Sequence, residues 1–393
     1  MEHRIGAITC SYRFSGEVFE MEDQRNWSDA SYKTYCRPLS LPVPMRLEAG
    51  ERIEQEVTIM LSRDTTNTAA PSAPPASQAV RLPELLLIAE PGAIAMPPVR
   101  PSGWLLREDR TTRFPTRRFP PSPSCRAIRP SILNMSPGMI RKRNSPPLLN
   151  GSRVSDWPPS CHRFAGRLSQ ELSAGGAVAG SPTPEDAVNA AARAFPQARV
   201  GVGMLTLFTE LNRCPPPQGL GDYVTYGTSA IVHAADTASV FQTLEALPDI
   251  FASAKVHAGK RPQRLGLVAI PMRSNPYGAG LADNMDGRPK AMAGFDGRHF
   301  TGEGAAFAAC AVLLAAACGI EAMALAAPRG PLGLHDANGK PTPLADLIEA
   351  LSRFAGAAME LVRHDDGAMT LCGPVGRLHV DPAARRVTYT EDK

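Results

Sequence analysis

The sequence predicts an α/β protein that carries the C-terminal half of a (β/α)8 barrel of the TIM type. A fragment of an antiparallel β domain precedes it and a short β appendage follows it. Three observations predict this class. Residues 181–355 alternate strand and helix patterns, the order that gives parallel strands joined by right-handed crossovers. The strand segments there, such as Leu265-Gly-Leu-Val-Ala-Ile270, are apolar without alternation, as a sheet covered on both faces requires. Residues 53–61 instead alternate, with Ile53, Gln55, Val57, Ile59 and Leu61 on one side and Glu54, Glu56, Thr58 and Met60 on the other, the period of a half-buried antiparallel strand.

Taken in order, residues 1–62 read as the β-domain fragment, with strands over Ile5 to Phe14 and Ile53 to Leu61. Ser181-Pro-Thr-Pro-Glu-Asp186 has the chemistry of a helix start, and Ala187 to Phe195 reads as that helix. Strands follow at Arg199 to Phe208, Ala230 to Ala234, Leu265 to Ile270 and Ala322 to Ala326. Helices are expected at Ala238 to Ala254, Gly304 to Ala317 and Leu344 to Phe354. Residues 356–393 read as the appendage, its short strands separated by Asp365-Asp366-Gly367 and Asp381-Pro382.

Residues 63–180 break the pattern. Eighteen of the 38 prolines fall between Pro71 and Pro159, so no regular element is expected to propagate there. Residues 97–167 hold fourteen Lys and Arg against three acids, while the whole chain has a formal charge of only +4. Three explanations are open: a natural disordered insert, a basic binding segment, and a reading frame lost between two indels. Runs of Arg, Pro and Ser with stray Cys and Trp are what a GC-rich gene yields out of frame. A shifted reading of Ile132 through Arg167 can be written as an acidic helix start, an amphipathic run and a strand. On that account residues 95–175 lack a regular packed core, and half a barrel with an unpaired sheet edge is expected to be inactive.

Composition narrows the function classes. The eight cysteines form no C-x-x-C pair and no zinc spacing, so they read as structural thiols of a reducing compartment. Met1-Glu2-His3-Arg4 lacks a secretory core, and Ala305 to Gly319 is too short to span a bilayer. The expected setting is cytoplasmic, with no membrane and no nucleic-acid partner. There is no P-loop, no G-x-S-x-G and no H-E-x-x-H; Gly201-Val202-Gly203 lies within a strand and lacks the third glycine of a nucleotide fingerprint. No cofactor and no metal are expected, a His233/Asp236 pair in one loop being too few ligands.

In a barrel of this kind chemistry sits at the C-terminal ends of the strands. Those ends offer Glu210, Asn212, His233, Asp236, Arg273, Asn275 and Tyr277. Each has a plainer use. Asp236 precedes a helix and suits an N-cap, His233 suits a satisfied core position, and Asn275-Pro276-Tyr277-Gly278 is a turn sequence in its own right.

Several strings are specific enough to carry a resemblance. Phe19-Glu-Met-Glu-Asp-Gln-Arg-Asn-Trp-Ser-Asp-Ala-Ser-Tyr-Lys-Thr-Tyr-Cys-Arg-Pro-Leu39 resembles the signature of the D-apionate lactonase family. Phe208-Thr-Glu-Leu-Asn-Arg213, Asp222-Tyr-Val-Thr225, Ile231-Val-His-Ala-Ala-Asp236 and Met272-Arg-Ser-Asn-Pro-Tyr-Gly278 are similar to its barrel motifs. The resemblance implies a β domain before a TIM barrel, and hydrolysis of a branched-chain aldonolactone, D-apionolactone to D-apionate, in apiose catabolism. The alternative is a glycoside-hydrolase-like carbohydrate-binding remnant without catalysis. Lactone opening needs a base for water, donors for the oxyanion and an acid for the leaving alkoxide. These roles fall to Glu210 or Asp236 as base with His233 as partner. Arg273, Asn275, Asn212 and Tyr277 supply donors to the sugar lactone, and Trp27 and Asp29 form a loop over the mouth. Family members carry a longer β domain before the signature, and of the first barrel half only Arg81 to Ala89 reads as a strand, the opening one.

Overall fold

The computed structural model describes residues 1–5, 8–21, 34–38, 40–42, 44–63, 76–89, 103–108, 129–135, 162–167, 183–194, 196, 198–275 and 280–391. They fall into two units, one within residues 1–76 and the other from Ser77 onward.

The first unit holds β1 (Glu2–Ile5), β2 (Ile8–Ser15) and β5 (Glu56–Arg63), an antiparallel sheet in the order β1-β2-β5, and a two-stranded pair of β3 (Glu20–Met21) and β4 (Thr34–Tyr35). The expected single strand over Ile5 to Phe14 is thus a hairpin of two. The alternation of β5 is real, but its apolar side is not covered: Val57, Ile59 and Leu61 are exposed. Among the described residues of this unit the sheet has three strands and no second layer of helices, which leaves that face nothing to pack on.

The second unit contains a closed barrel. Its parallel strands are β7 (Glu84–Ala89), β8 (Gly103–Glu108), β9 (Arg129–Met135), β10 (His162–Arg167), β11 (Arg199–Leu207), β12 (Tyr223–Ser229), β13 (Arg264–Ala269) and β14 (Ala322–Ala326), and β14 pairs with β7 to close the ring. The α/β class with TIM-type βα order therefore stands, but the expectation of half a barrel is corrected. Backbone pairing runs β7-β8-β9-β10-β11 through the segment where proline content argued against any sheet. The prolines lie mostly between these strands; Pro130 sits near the start of β9. The side chains of β8, β9 and β10 lie outside the described residues, and so does the expected absence of a packed core around them.

Helices follow the later strands as the sequence requires. They are α1 (Pro184–Ala194), α2 (Phe208–Arg213), α3 (Thr237–Ala258), α4 (Gly302–Ala317) and α5 (Pro343–Ser352). Caps fix their starts. Thr183 and Asp186 exchange hydrogen bonds, Thr183 Oγ1 accepting from the Asp186 amide at 3.1 Å and Asp186 Oδ2 from the Thr183 amide at 3.3 Å. Thr301 and Thr342 cap α4 and α5. Every residue of α4 from Gly304 to Ala316 is buried, because α3 and α5 flank it and β16–β18 cover it.

That covering sheet is the C-terminal appendage, β15 (Met359–Arg363), β16 (Met369–Gly373), β17 (Gly376–Asp381) and β18 (Arg386–Thr390), extended by β6 (Ala76–Val80) from just before the barrel. β15–β18 are successive antiparallel hairpins. Their alternating burial places Leu361, Leu371, Leu378 and Val380 in the same core as α4.

The strand predicted at Ala230–Ala234 is instead β12, Tyr223–Ser229. Every residue of Tyr-Val-Thr-Tyr-Gly-Thr-Ser is buried. Tyr226 donates to Gln263 Oε1 at 2.8 Å, and burial pushes its phenol well above the usual range. The Tyr223 ring lies over Gly201, where a Cβ would sit 2.1 Å from the ring. Gly201 is therefore a packing requirement, not part of a nucleotide loop.

At the strand starts a charged cluster ties four barrel strands together. Arg264 is fully buried; it donates to Glu84 Oε2 at 2.8 Å and to Glu321, which also receives a forked pair from Arg199 at 2.6 and 3.2 Å. Both guanidinium groups lie near the Tyr223 ring, at 5.7 and 5.9 Å from its centroid. Burial works to raise the Glu321 carboxyl, but the hydrogen bonds and charges of Arg199 and Arg264 outweigh it and hold it below the usual range.

Candidate functional site

At the opposite end of the same strands a small hollow opens between β11, β12 and β13. Thr206, Leu207, Thr228, Ser229, Met272 and Arg273 are among its walls, and its volume is about 30 Å³. That is room for a water molecule rather than a sugar ring. Thr206, next to the last residue of β11, and Thr228 and Ser229, the last two of β12, are buried and bring polar side chains to the residues that line the hollow. Ser229 donates to the Ile270 carbonyl at 3.1 Å, which fixes the end of β12 against that of β13.

Glu210 stands behind this wall. It is the third residue of α2 and is buried. Its Oε2 accepts from the Leu207 amide and from Thr206 Oγ1, both at 2.9 Å. One carboxylate oxygen thus caps the helix that follows β11 and orients the hydroxyl of Thr206, a residue that lines the hollow. Arg273, half-buried three residues past Ile270, lines the hollow from the β13 side.

Other expected residues are placed elsewhere. His233 is exposed, in the loop after β12 rather than at a strand end, and does not line the hollow. Asp236 is the N-cap of α3: Oδ1 accepts from the Ser239 amide at 2.9 Å and Oδ2 from Ser239 Oγ at 2.6 Å. These hydrogen bonds, the Ser239 hydroxyl first, hold its carboxyl below the usual range. Asn212 turns away from the mouth, its Oδ1 3.0 Å from Nε2 of His257 near the C-terminal end of α3. Asn275 donates to the Gly280 carbonyl at 2.8 Å and braces its own loop. Trp27, Asp29 and Tyr277 lie outside the described residues. Sequence reasoning misses Thr206, Thr228 and Ser229; the available signal is a polar residue at or next to the end of β11 and β12.

The long loop from β13 to α4 is held by buried polar groups. Asp296, fully buried, forms a two-point ion pair with Arg298 at 2.9 and 2.6 Å, and Arg298 reaches Thr237 Oγ1 at 3.2 Å. Asn284 donates to the carbonyls of Arg288 and Phe295 at 2.8 and 2.7 Å. His299 is buried with no partner on Nε2, and burial lowers it to about 4, against the pull of the Leu332 and Gly333 carbonyls and the Asp296 charge. Among the described residues no group of three or more His, Cys, Asp or Glu is placed to hold a metal ion. Nor is any helix there long and apolar enough to cross a membrane.

Comparison with known proteins decides the family. The profile "D-apionate lactonase, TIM barrel domain" matches residues 167–356, and "D-apionate lactonase, N-terminal domain" matches residues 1–64. The chain belongs to the D-apionate lactonase family. It is 35% identical over 375 residues to the D-apionate lactonase of Brucella anthropi, a match covering 89% of this chain and 62% of that protein. The chain therefore spans less than two thirds of the length of its curated relative. Among solved structures, a GH39 β-xylosidase from Caulobacter crescentus aligns with a TM-score of 0.41 and 11% identity over 78% of each chain. A monomeric β-xylosidase from Caulobacter crescentus CB15 aligns at 0.43 and 11%, covering 78% of this chain and 74% of that one.

Proposed function

We propose that this barrel opens a branched-chain sugar-acid lactone, D-apionolactone to D-apionate, as a step of apiose catabolism in the cytoplasm. The observation that carries the reading is the Glu210–Thr206–hollow arrangement at the C-terminal ends of β11–β13, in a chain of the D-apionate lactonase family. The attacking water occupies the hollow and passes a proton to Thr206 Oγ1, which passes its own to Glu210 Oε2. The water oxygen bonds to the lactone carbonyl carbon, whose oxygen becomes an oxyanion beside Arg273. The ring C–O bond then breaks, and the proton held by Glu210 returns to the leaving alkoxide. Asp236 is committed to its cap, which leaves Glu210 as the base, and the mechanism makes no use of His233.

The expectation of an inactive half-barrel loses its ground when the ring is closed, so the proposal is for an active chain. Acid release from a five-membered branched aldonolactone, followed by pH-stat on the purified 393-residue protein, tests it. Turnover that Glu210→Gln and Thr206→Val each reduce supports the reading; turnover indifferent to both overturns the site. The water-sized hollow favours one second reading, a carbohydrate-binding remnant without catalysis, which no turnover together with retained saccharide binding would establish.

A further inference from the structure

Outside the barrel, where the first turns of α4 and α5 meet β17 and β18, a groove of about 980 Å³ runs along the second unit. Its size suits a ligand of one or two sugar rings, and the half-buried Val387 and Tyr389 give it an apolar wall. Four arginines and four carboxylates line it, so it has no surplus charge to attract a phosphate or a nucleotide. Most of these charges are already matched. Arg385 pairs with Glu303 at 3.4 Å, and Arg353 pairs with Glu391 while its guanidinium lies 5.8 Å from the Tyr389 ring centroid. Asp346 and Arg386 are different: among the described residues neither side chain has an ion pair or hydrogen bond. Asp346 offers a pure acceptor and Arg386 a pure donor.

We propose that this groove is a second, non-catalytic binding site for a neutral polyhydroxylated ligand, a sugar or its lactone. Each hydroxyl is both donor and acceptor. A diol can give two hydrogen bonds to Asp346 and another hydroxyl can accept from the guanidinium of Arg386, while the C–H face of the ring rests against Val387 and Tyr389. A purely anionic ligand would leave Asp346 opposed, and an apolar one would leave both charged groups desolvated without a partner. The site stands apart from the hollow and does not depend on the lactonase reading.

The test is isothermal titration of the full 393-residue chain with D-xylose and cellobiose as neutral probes and with D-gluconate and ADP as anionic ones. Neutral saccharide is expected to bind in the millimolar range. Asp346→Asn and Arg386→Gln are each expected to weaken it roughly tenfold, the scale of one lost charge-assisted hydrogen bond, with unchanged thermal unfolding. Glu210→Gln is expected to leave this binding intact, which separates it from any sugar held at the barrel mouth. Three results would each overturn the proposal: no neutral saccharide bound at about 50 mM, binding unaltered in both groove variants, or binding of the anions alone.

Discussion

At the N-terminal ends of the barrel strands Arg264, Arg199, Glu84 and Glu321 meet as full charges, paired and forked. At the C-terminal ends of three strands the hollow is lined by Thr206, Thr228 and Ser229 among others, with Arg273 at its side and Glu210 behind it. The first arrangement leaves its charges committed to one another and serves to lock β7, β11, β13 and β14 in register. On the proposed function, the second keeps groups that can change partner during a reaction, and the same strands then carry stability at one end and chemistry at the other.

The sharpest way to break this division is at Arg264. Arg264→Ala removes a fully buried cation and leaves two carboxylates facing each other across the strand starts. A loss of roughly 3–5 kcal/mol is expected in urea unfolding, with turnover per folded molecule unchanged. If turnover falls while stability holds, the two ends are not separate. A pH scan makes the next largest change. His299 is neutral in the folded protein, lowered to about 4 from its ordinary 6.5. The unfolded chain therefore binds an extra proton between those values. Stability should be full above about pH 6.5 and fall by about 3 kcal/mol on descending through pH 4. His299→Phe should flatten that slope in urea unfolding at pH 7 and pH 4.5, and an unaltered slope would assign it to other groups.

Glu210→Gln then sharpens the comparison at the reactive end. Glutamine can still reach back to the Leu207 amide as a capping-box residue, so stability should change by less than about 1 kcal/mol. Turnover should drop on the order of 10²-fold, the contribution of a lost proton acceptor. Glu210→Ala should lose both. The smallest effect belongs to Asp236→Ala: about 1 kcal/mol of stability for a lost N-cap, with no change in turnover. A hundredfold loss of turnover there would return the base to Asp236.

Much of the second unit was legible because burial on both faces leaves a plain mark. β13 and β14 fall within one residue of the segments read from Leu265 and Ala322, and the ends of α4 and α5 within two. β12 is not read from the sequence because it is rich in tyrosine, threonine and serine, of which Tyr226 bonds to Gln263 and Ser229 to the Ile270 carbonyl on the neighbouring strand side, whereas the apolar Ala-Ile-Val beside it looks more like a strand and is loop. β8–β10 are not legible because strand pairing is a property of the backbone, and nothing in a proline-rich composition announces which short runs will align. At the site, Glu210 could be picked from its place after an apolar strand, and Arg273 likewise. Thr206 could not, since a threonine near the end of a strand gains meaning only when the carboxylate four residues on is seen to fold back on it. Asp236 suits both a cap and a base in the sequence, and its bonds to Ser239 place it as the cap of α3.

The helix α4 sets a limit on how this molecule can be cut. A stretch of thirteen consecutive buried residues has no wet side to fall back on, and its coat is partly the sheet that begins after the family's barrel match ends at residue 356. Severing the chain there would strip an alanine- and leucine-rich surface that nothing in its own sequence equips for water. β6, contributed from before the first barrel strand, stitches the same sheet to the other end of the unit. A barrel cut free of its tail is therefore expected to aggregate, and tail and barrel behave as a single folding block.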